Sequence, residues 1–439
     1  MRVPSVATLP QNEAVTLLSA GIVADDLTGA GDSAVQFASL GWQTRLTLGE
    51  PVAITATPGS VLAVVTDSRS LPTDAARIRT TDAVMALMGA GIDRLFVKID
   101  STMRGSVDSQ VRGALDAWTH RHPDSIAVVC PAYPGMGRTV EGGLLLVDGA
   151  GVETTSVGRD PVTPVTTSAL ADLLPGAVAI QLAQGGASQL ALVIAAAEAR
   201  VVTVDASTDA DLALVAAAVE MLGARAVPVG SAGLATQMAK VWRRGAVEAG
   251  RGAASPSRTS AGPAVVVISS LHDVSRAQHA HLLETSTGVL SLAPGLEEIL
   301  SPDGDDGMTE WIRANVTRGT SAGVVVILSP SAQTAPSELA PVRIAAALAA
   351  ITDAVVTRFG VGSLVLMGGE GARAVLDRFD AESLVVSRSI GEGTPISVID
   401  GGRLHGLTVV TKAGGFGSTS ALTDLLPELL KQPTLGASS

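Results

Sequence analysis

The sequence predicts an α/β protein: two α/β domains with mostly parallel sheets, and an active site in the cleft between them. Three observations carry this. Short β-branched runs alternate with Ala- and Leu-rich helical stretches, the βα alternation of a parallel sheet covered on both faces. The strand runs of the first half are continuously apolar rather than alternating, as strands buried on both faces must be. Residues 245–263, GAVEAGRGAASPSRTSAGP, have no apolar period and read as an interdomain linker. The division expected is a frayed leader over 1–20, a first domain over 21–244, the linker over 245–263, a second domain over 264–431 and a tail over 432–439.

Six strands of the first half each end in a small polar, charged or glycine-rich cluster. In order they read GIVAD-DLTGAGD (21–32), VLAVVT-DSRS (61–70), LFVKI-DSTMRG (95–105), IAVVC-PAYPGMGR (126–138), VVTV-DAS (201–207) and AVPV-GSAG (226–233). Helical stretches between and after them cover 30–40, 73–89, 106–120, 188–200, 209–222 and 231–242. In an open parallel sheet such strand ends share one edge, and ligands bind in the crevice outside it. That edge collects Asp25, Asp26, Asp67, Arg69, Asp100, Arg104 and Arg138. Interleaved acids and arginines suit a small ligand that is both hydroxylated and anionic. In the second half, strands are expected at 264–269, 323–328, 363–367 and 407–411, with helices at 337–358, 371–379 and 420–430.

Composition narrows the function classes. The chain has 439 residues, 46% hydrophobic and 16% charged, so large buried cores are expected. No apolar run approaches the ~18 residues of a membrane span. A net charge of −12, with no basic block beyond Arg243-Arg244, disfavours nucleic acid. Aromatic residues at 2% leave few stacking platforms for single strands. The single cysteine, Cys130, lies inside an apolar run; it reads as an inert core thiol and fits a reducing cytoplasm. The six histidines form no zinc-type set, so no metal ligands are assigned to them. The apolar content permits a homodimer without locating its interface.

The clusters themselves carry chemistry. Asp25 and Asp26 follow a strand and open a helix; adjacent carboxylates can orient a substrate hydroxyl, accept its proton or hold Mg²⁺ through water. The plainer alternative is an Asp N-cap with a solvated neighbour. Lys98 and Asp100 share a face at a strand end, and Arg104 stands just before a helix. Lys98 and Arg104 can hold a carboxylate while Asp100 receives a hydroxyl proton; a local ion-pair network is the alternative. The stiff PAYPGMGR loop carries Tyr133 and Arg138, which either face the ligand or belong to a structural turn. Two glycine clusters, 367–371 and 412–417, each follow a strand and let backbone N–H groups approach phosphates. Gly29-Ala30-Gly31-Asp32-Ser33-Ala34 meets a relaxed GxGxxA form, but Asp25, Asp26 and Asp32 flank it and would repel a pyrophosphate. A nicotinamide-dependent oxidoreductase is therefore a minor alternative.

Taken together, these residues resemble the four-carbon acid sugar kinase family. The matching segments are VADDLTGAGDSAVQFA, VVTDSRS, VKIDSTMRGSV, CPAYPGMGRTVEGGLLLVDG, VDASTDADL, VGSAGLA, LMGGEGARAVL and VTKAGGFGS, in order through residues 21–430. The resemblance implies phosphorylation of the terminal 4-hydroxyl of threonate, erythronate or a 3-oxo-tetronate by ATP with Mg²⁺. It implies a sugar acid held by the first domain and ATP by the second. Matched position by position, Asp25, Asp26, Arg69, Lys98, Asp100, Ser101 and Arg104 line the sugar-acid site, with Asp26 or Asp100 as the base. Asp67, Tyr133 and Arg138 join them as ligand-facing candidates. Ser270, the turn of Gly368, Gly369, Glu370 and Gly371, and Gly414 or Gly415 form the ATP site. Two stretches differ from the family's pattern, both on the nucleotide side. The usual GSxSPxTxxQ reads SSLHDVSRAQ from Ser269, and the usual GGET ends in Gly371, without a hydroxyl. These differences keep open a second reading, a sugar-acid-binding protein of the same fold without catalysis.

Overall fold

The computed structural model describes residues 18–430 apart from 50–54, 161, 183–184, 244–261, 302–304, 317–321, 331–339 and 392. The expected tail, the leader up to residue 17 and most of the expected linker lie outside the described residues. Strands in the first half are β1 (Ala20–Ala24), β2 (Gln43–Thr47), β3 (Ser60–Val65), β4 (Arg94–Lys98), β5 (Ile126–Cys130), β6 (Arg138–Glu141), β7 (Leu144–Val147), β8 (Ala150–Gly151), β9 (Val178–Ile180), β10 (Val201–Val204) and β11 (Ala226–Gly230). Those of the second half are β12 (Ala264–Ile268), β13 (Val289–Leu292), β14 (Val324–Leu328), β15 (Ser363–Met367), β16 (Ser383–Gly391), β17 (Thr394–Asp400) and β18 (Thr408–Lys412). The helices are α1 (Leu27–Ser39), α2 (Thr73–Gly89), α3 (Val107–Trp118), α4 (Leu170–Leu173), α5 (Gly186–Ala195), α6 (Asp209–Leu222), α7 (Ala232–Trp242), α8 (Asp273–Thr285), α9 (Leu296–Leu300), α10 (Asp305–Asn315), α11 (Ala340–Phe359), α12 (Gly369–Arg378) and α13 (Ala421–Leu430).

Two parallel sheets form, as expected, but they are joined. Among the described residues fifteen strands make one sheet in the order β13-β14-β12-β15-β18-β17-β16-β2-β3-β1-β4-β11-β5-β10-β9. The seam is antiparallel: β16 pairs with β2 from Ser383 opposite Thr47 to Val386 opposite Thr44. The β16–β17 hairpin thus carries the second half's sheet onto the first half's edge. Sequence reading missed this hairpin for a physical reason. SLVVSRSIG mixes apolar and polar positions, as a partly exposed antiparallel strand does, whereas the expected strands were all continuous apolar runs. A separate antiparallel sheet, β6-β7-β8, follows the PAYPGMGR loop.

The core lies on both faces of the long sheet. β1, β3, β5, β11, β12 and β15 are buried at every position. Each fully buried Val, Ile or Leu there contributes about 1.5–3 kcal/mol relative to exposure. Helix α1 packs into the seam, where the Cβ position of Gly31 lies 3.2 Å from both Pro395 and Thr411. At the other side of α1, Phe37 meets Trp42 edge-on at 5.8 Å and Trp242 of α7 at 6.0 Å. The helix that carries the candidate catalytic acid at its start is therefore packed against strands from both halves. Cys130 is fully buried, and burial pushes its thiol up to about 12, out of the range of a nucleophile at neutral pH.

Candidate active site

β1 delivers the two acids. Its last residue is Ala24, so Asp25 and Asp26 fall at the strand's C-terminal end, where α1 begins. Asp26 is the N-cap of α1: its Oδ1 accepts from Gly29 N at 2.8 Å and its Oδ2 from Thr28 Oγ1 at 2.6 Å. The N-cap reading is thus correct for Asp26, but Asp25 is not the solvated neighbour it implied, being 2% exposed. Both carboxylates are gripped by one guanidinium. Arg69 Nε and Nη2 donate to Asp25 at 2.7 and 2.9 Å, while Nη1 and Nη2 donate to Asp26 at 2.9 and 2.8 Å. The loop holding Arg69 is tied back by Ser68 N to Asp25 O at 2.9 Å.

β4 delivers the second group. Lys98 is buried, donates from Nζ to Ile99 O at 2.7 Å, and lies 2.7 Å from the Cβ position of Gly29, beside the Asp26 cap. Asp100 accepts from Arg104 Nε at 2.9 Å and Nη2 at 3.0 Å, and from Thr102 Oγ1. Arg69 Nη2 stands 3.9 Å from Asp100, so the two clusters form one network. Ser101 is half-buried in the turn between them.

The charges sort the acids. Burial pushes Asp26 up, but Arg69 and Lys98, with the Thr28 and Gly29 hydrogen bonds, outweigh it and hold the carboxyl below its ordinary range. Burial likewise opposes Asp100, yet Arg104 and Arg69 hold it well below that range. Asp25 goes the other way: burial raises it, the adjacent Asp26 adds to the rise, and Arg69 only partly offsets them. Asp26 and Asp100 are carboxylates at neutral pH, fitted to accept hydrogen bonds from a hydroxyl.

A cavity of about 720 Å³ opens between the two halves. Asp25, Asp26, Asp67, Arg69 and Arg104 line one side; Gly369, Glu370 and Arg373 of α12, and Ala345, Ala346 and Ala349 of α11, line the other. Lys98, Asp100 and Ser101 are not among the lining residues; Lys98 and Asp100 stand behind those that are, bonded to or packed beside them. Tyr133 and Arg138 do not line the cavity either. Tyr133 is 7% exposed, with its ring 3.1 Å from the Cβ position of Gly233, and Arg138 donates to Met136 O within its own turn.

Sequence reading missed a third wall. Asp160 accepts from Arg104 Nη1 at 3.2 Å and from the amides of Val162 and Thr163, placing both of those residues on the cavity. The proline-punctuated DPVTP stretch, an Asp starting a turn, was its signal. It also missed Arg373, which pairs with Asp67 across the cleft at 2.9 Å. Asp67 holds a left-handed backbone at φ 48°, and burial raises its carboxyl against the pull of Arg373.

The glycine turns meet at the second half's strand ends. β12 ends before Ser269 and Ser270, β15 before the 368–371 turn, and β18 before the 413–417 loop. The two sequence differences from the family pattern turn out to be neighbours. A Cβ at Gly371 would overlap Ser269 Cβ and lie 2.5 Å from Ser269 Oγ. Ser269 therefore occupies the space that a side chain at 371 would need, and puts its hydroxyl there. A Cβ at Gly414 would likewise overlap Ser270. The start of α12 also reaches the first half: the Cβ position of Gly369 lies 3.6 Å from Asp26 Oδ2 and 3.9 Å from Thr28 Oγ1.

This is an α/β scaffold with a charge-paired pocket on one half and glycine turns on the other, meeting at Asp26. A family model for a sugar-binding N-terminal domain matches residues 20–238, and one for a nucleotide-binding C-terminal domain matches residues 265–422. The chain belongs to the four-carbon acid sugar kinase family. It is 39% identical to a D-threonate kinase of Bordetella bronchiseptica, over 92% of this chain and 95% of that one. It is 30% identical to a D-erythronate kinase of Heliobacterium modesticaldum, over 93% and 96%. A solved structure from Salmonella typhimurium LT2 shares the fold at 20% identity, with a TM-score of 0.75 and coverage of 94% of this chain and 100% of that one.

Proposed function

We propose that the protein transfers the γ-phosphoryl group of ATP to the terminal 4-hydroxyl of a four-carbon sugar acid. The observation that carries this is the meeting of α12 with Asp26. The N-terminus of α12 offers free amides to a phosphate, and 3.6 Å from its Gly369 Cβ position stands a carboxylate fitted to a hydroxyl. A phosphoryl group held by the one half is then beside an alcohol held by the other.

The residues divide the work as follows. Arg104, at the cavity wall, binds the substrate carboxylate, exchanging part of its pairing with Asp100 and Asp160 for it. Asp26 orients the 4-hydroxyl and accepts its proton. Its lowered pKa is no obstacle, because a loose phosphoryl-transfer transition state asks mainly for position and charge balance. Arg69 and Lys98 hold Asp26 in place and offset its charge. For Mg²⁺, Glu370 fits: it is exposed, lines the cavity, and its side-chain carboxylate has no ion pair or hydrogen bond among the described residues. With phosphate oxygens and water it would complete a magnesium shell, and the ion would balance charge on the transferred group. The non-catalytic alternative rested on the two sequence differences, and the placing of Ser269 beside Gly371 weakens that ground.

Acid-stimulated ADP release from ATP–Mg²⁺ tests the proposal, using both stereochemical series of four-carbon acids, the 3-oxo acids and a no-acid control. The greater identity to a D-threonate kinase puts D-threonate first in the panel. Stimulation by one acid, with phosphate found on its 4-oxygen, is the expected result. Thermal stabilisation by an acid without ADP release would replace the kinase with a binding protein.

A further inference from the structure

We infer that Lys412, together with Gln278 and Ser275, is an internal frame that turns the amides of the 413–417 loop outward to hold the nucleotide's phosphates. This rests on the nucleotide reading of the second half. Lys412 closes β18 and is 2% exposed. Its ammonium donates to Phe416 O at 2.6 Å and Ala413 O at 3.3 Å. Gln278, fully buried on α8, donates from Nε2 to Phe416 O at 3.0 Å and Ser418 O at 2.8 Å. Ser275, also fully buried, donates from Oγ to Gly414 O at 2.8 Å.

Three buried side chains thus draw the carbonyls of Ala413, Gly414, Phe416 and Ser418 inward. In a trans peptide the N–H points opposite to the C=O. The amides of Gly414, Gly415 and Gly417 are therefore turned away from the frame, and none of them donates to an acceptor in the described structure. Free adjacent amides form an anion-binding concavity. The ammonium beneath has no carboxylate partner in the described structure. On α8, Arg276 donates to Ser329 O and Pro330 O, and His279 bonds Ser291; on α13, Asp424 accepts from Ser420 and Glu428 pairs with Arg388. His272 lies against the loop, its Nε2 3.0 Å from the Cβ position of Gly415. A buried cation bonded only to carbonyls favours an anion on the far side of those peptides.

Burial lowers the Lys412 ammonium to about 8. Its unfolded value is about 10.4, so between these the unfolded state holds more protons and stability rises with pH. Nucleotide affinity runs the other way, because the neutral amine is a weaker donor and carries no charge. A lysine of merely structural role would move the first quantity and not the second.

The test is isothermal titration of the full chain with a non-hydrolysable ATP analogue and Mg²⁺, from about pH 7 to about pH 9. Wild-type affinity falls across that range. Lys412→Met loses roughly ten- to a hundredfold at the lower pH and becomes pH-insensitive, whereas Lys412→Arg retains affinity throughout. Stabilisation by the sugar acid, unchanged in both, shows that the variants fold. The wild-type pH series needs no variant, and an affinity flat across it overturns the frame. So does Lys412→Met binding the analogue as wild type does. Absence of binding by wild type itself would instead overturn the nucleotide reading and this inference with it.

Discussion

The two sides of the cleft are built from different materials. The sugar-acid side is made of side-chain charge: Arg69 spans Asp25 and Asp26, and Arg104 spans Asp100 and Asp160. The nucleotide side is made of backbone: turns at 368–371 and 413–417, with hydroxyls of Ser269, Ser270 and Ser275 filling the space that glycines leave. Buried charges fail when a partner is removed, because the remaining charge is stranded. Backbone cradles fail when volume is added. Substitutions on the two sides should therefore differ in kind as well as in size.

The largest expected effect lies on the charged side. Arg69→Met leaves two adjacent carboxylates without their shared cation. Stability in urea should fall by about 3–5 kcal/mol, and ADP release should be lost. The sign with pH is specific. Asp26 and Asp100 titrate below their unfolded value of about 3.9, so their stabilisation is complete above it and is lost as pH falls toward their folded values. Asp25 is raised and acts oppositely: its stabilisation is complete below the unfolded value and lost as pH rises through the folded one.

A middle effect belongs to the backbone side. Gly371→Thr drives a side chain into Ser269 and should cost about 1–3 kcal/mol, with weaker nucleotide binding. Adding Ser269→Gly to it should recover most of both losses, a coupling that a double-mutant cycle reads directly. Additive losses would mean that the two positions are independent.

The smallest effect lies on the bridge between the sides. The Arg373–Asp67 pair is partly exposed, so Arg373→Ala should change stability by about 0.2–1 kcal/mol. A larger loss would make that pair a principal tie between the halves.

The same difference of materials explains what was legible in the sequence. Asp25, Asp26, Arg69, Lys98, Asp100 and Arg104 could be named because each stands at the end of a continuous apolar run, where a buried parallel sheet must expose its ligand edge. All ten expected strands appear in place for the same reason: β1, β3, β4, β5, β10, β11, β12, β14, β15 and β18. The β2–β16 seam was not legible, because pairing between QTRLT and SLVVSRSIG is set by register across 336 residues of chain, from Thr47 to Ser383, and not by local pattern. Nor was the exchange between Ser269 and Gly371, two residues joined only by packing. Tyr133 and Arg138 also follow a continuous apolar run, but neither lines the cavity: Tyr133 packs against Gly233 and Arg138 is bonded within its own turn.

The central claim is that Asp26 is the point at which the two sides meet. The most direct test is Asp26→Asn, with turnover and the binding of both ligands measured on the same preparation. The account predicts that turnover falls roughly 10²–10⁴-fold while nucleotide affinity is unchanged. Turnover equal to wild type would contradict it and remove Asp26 from the chemistry.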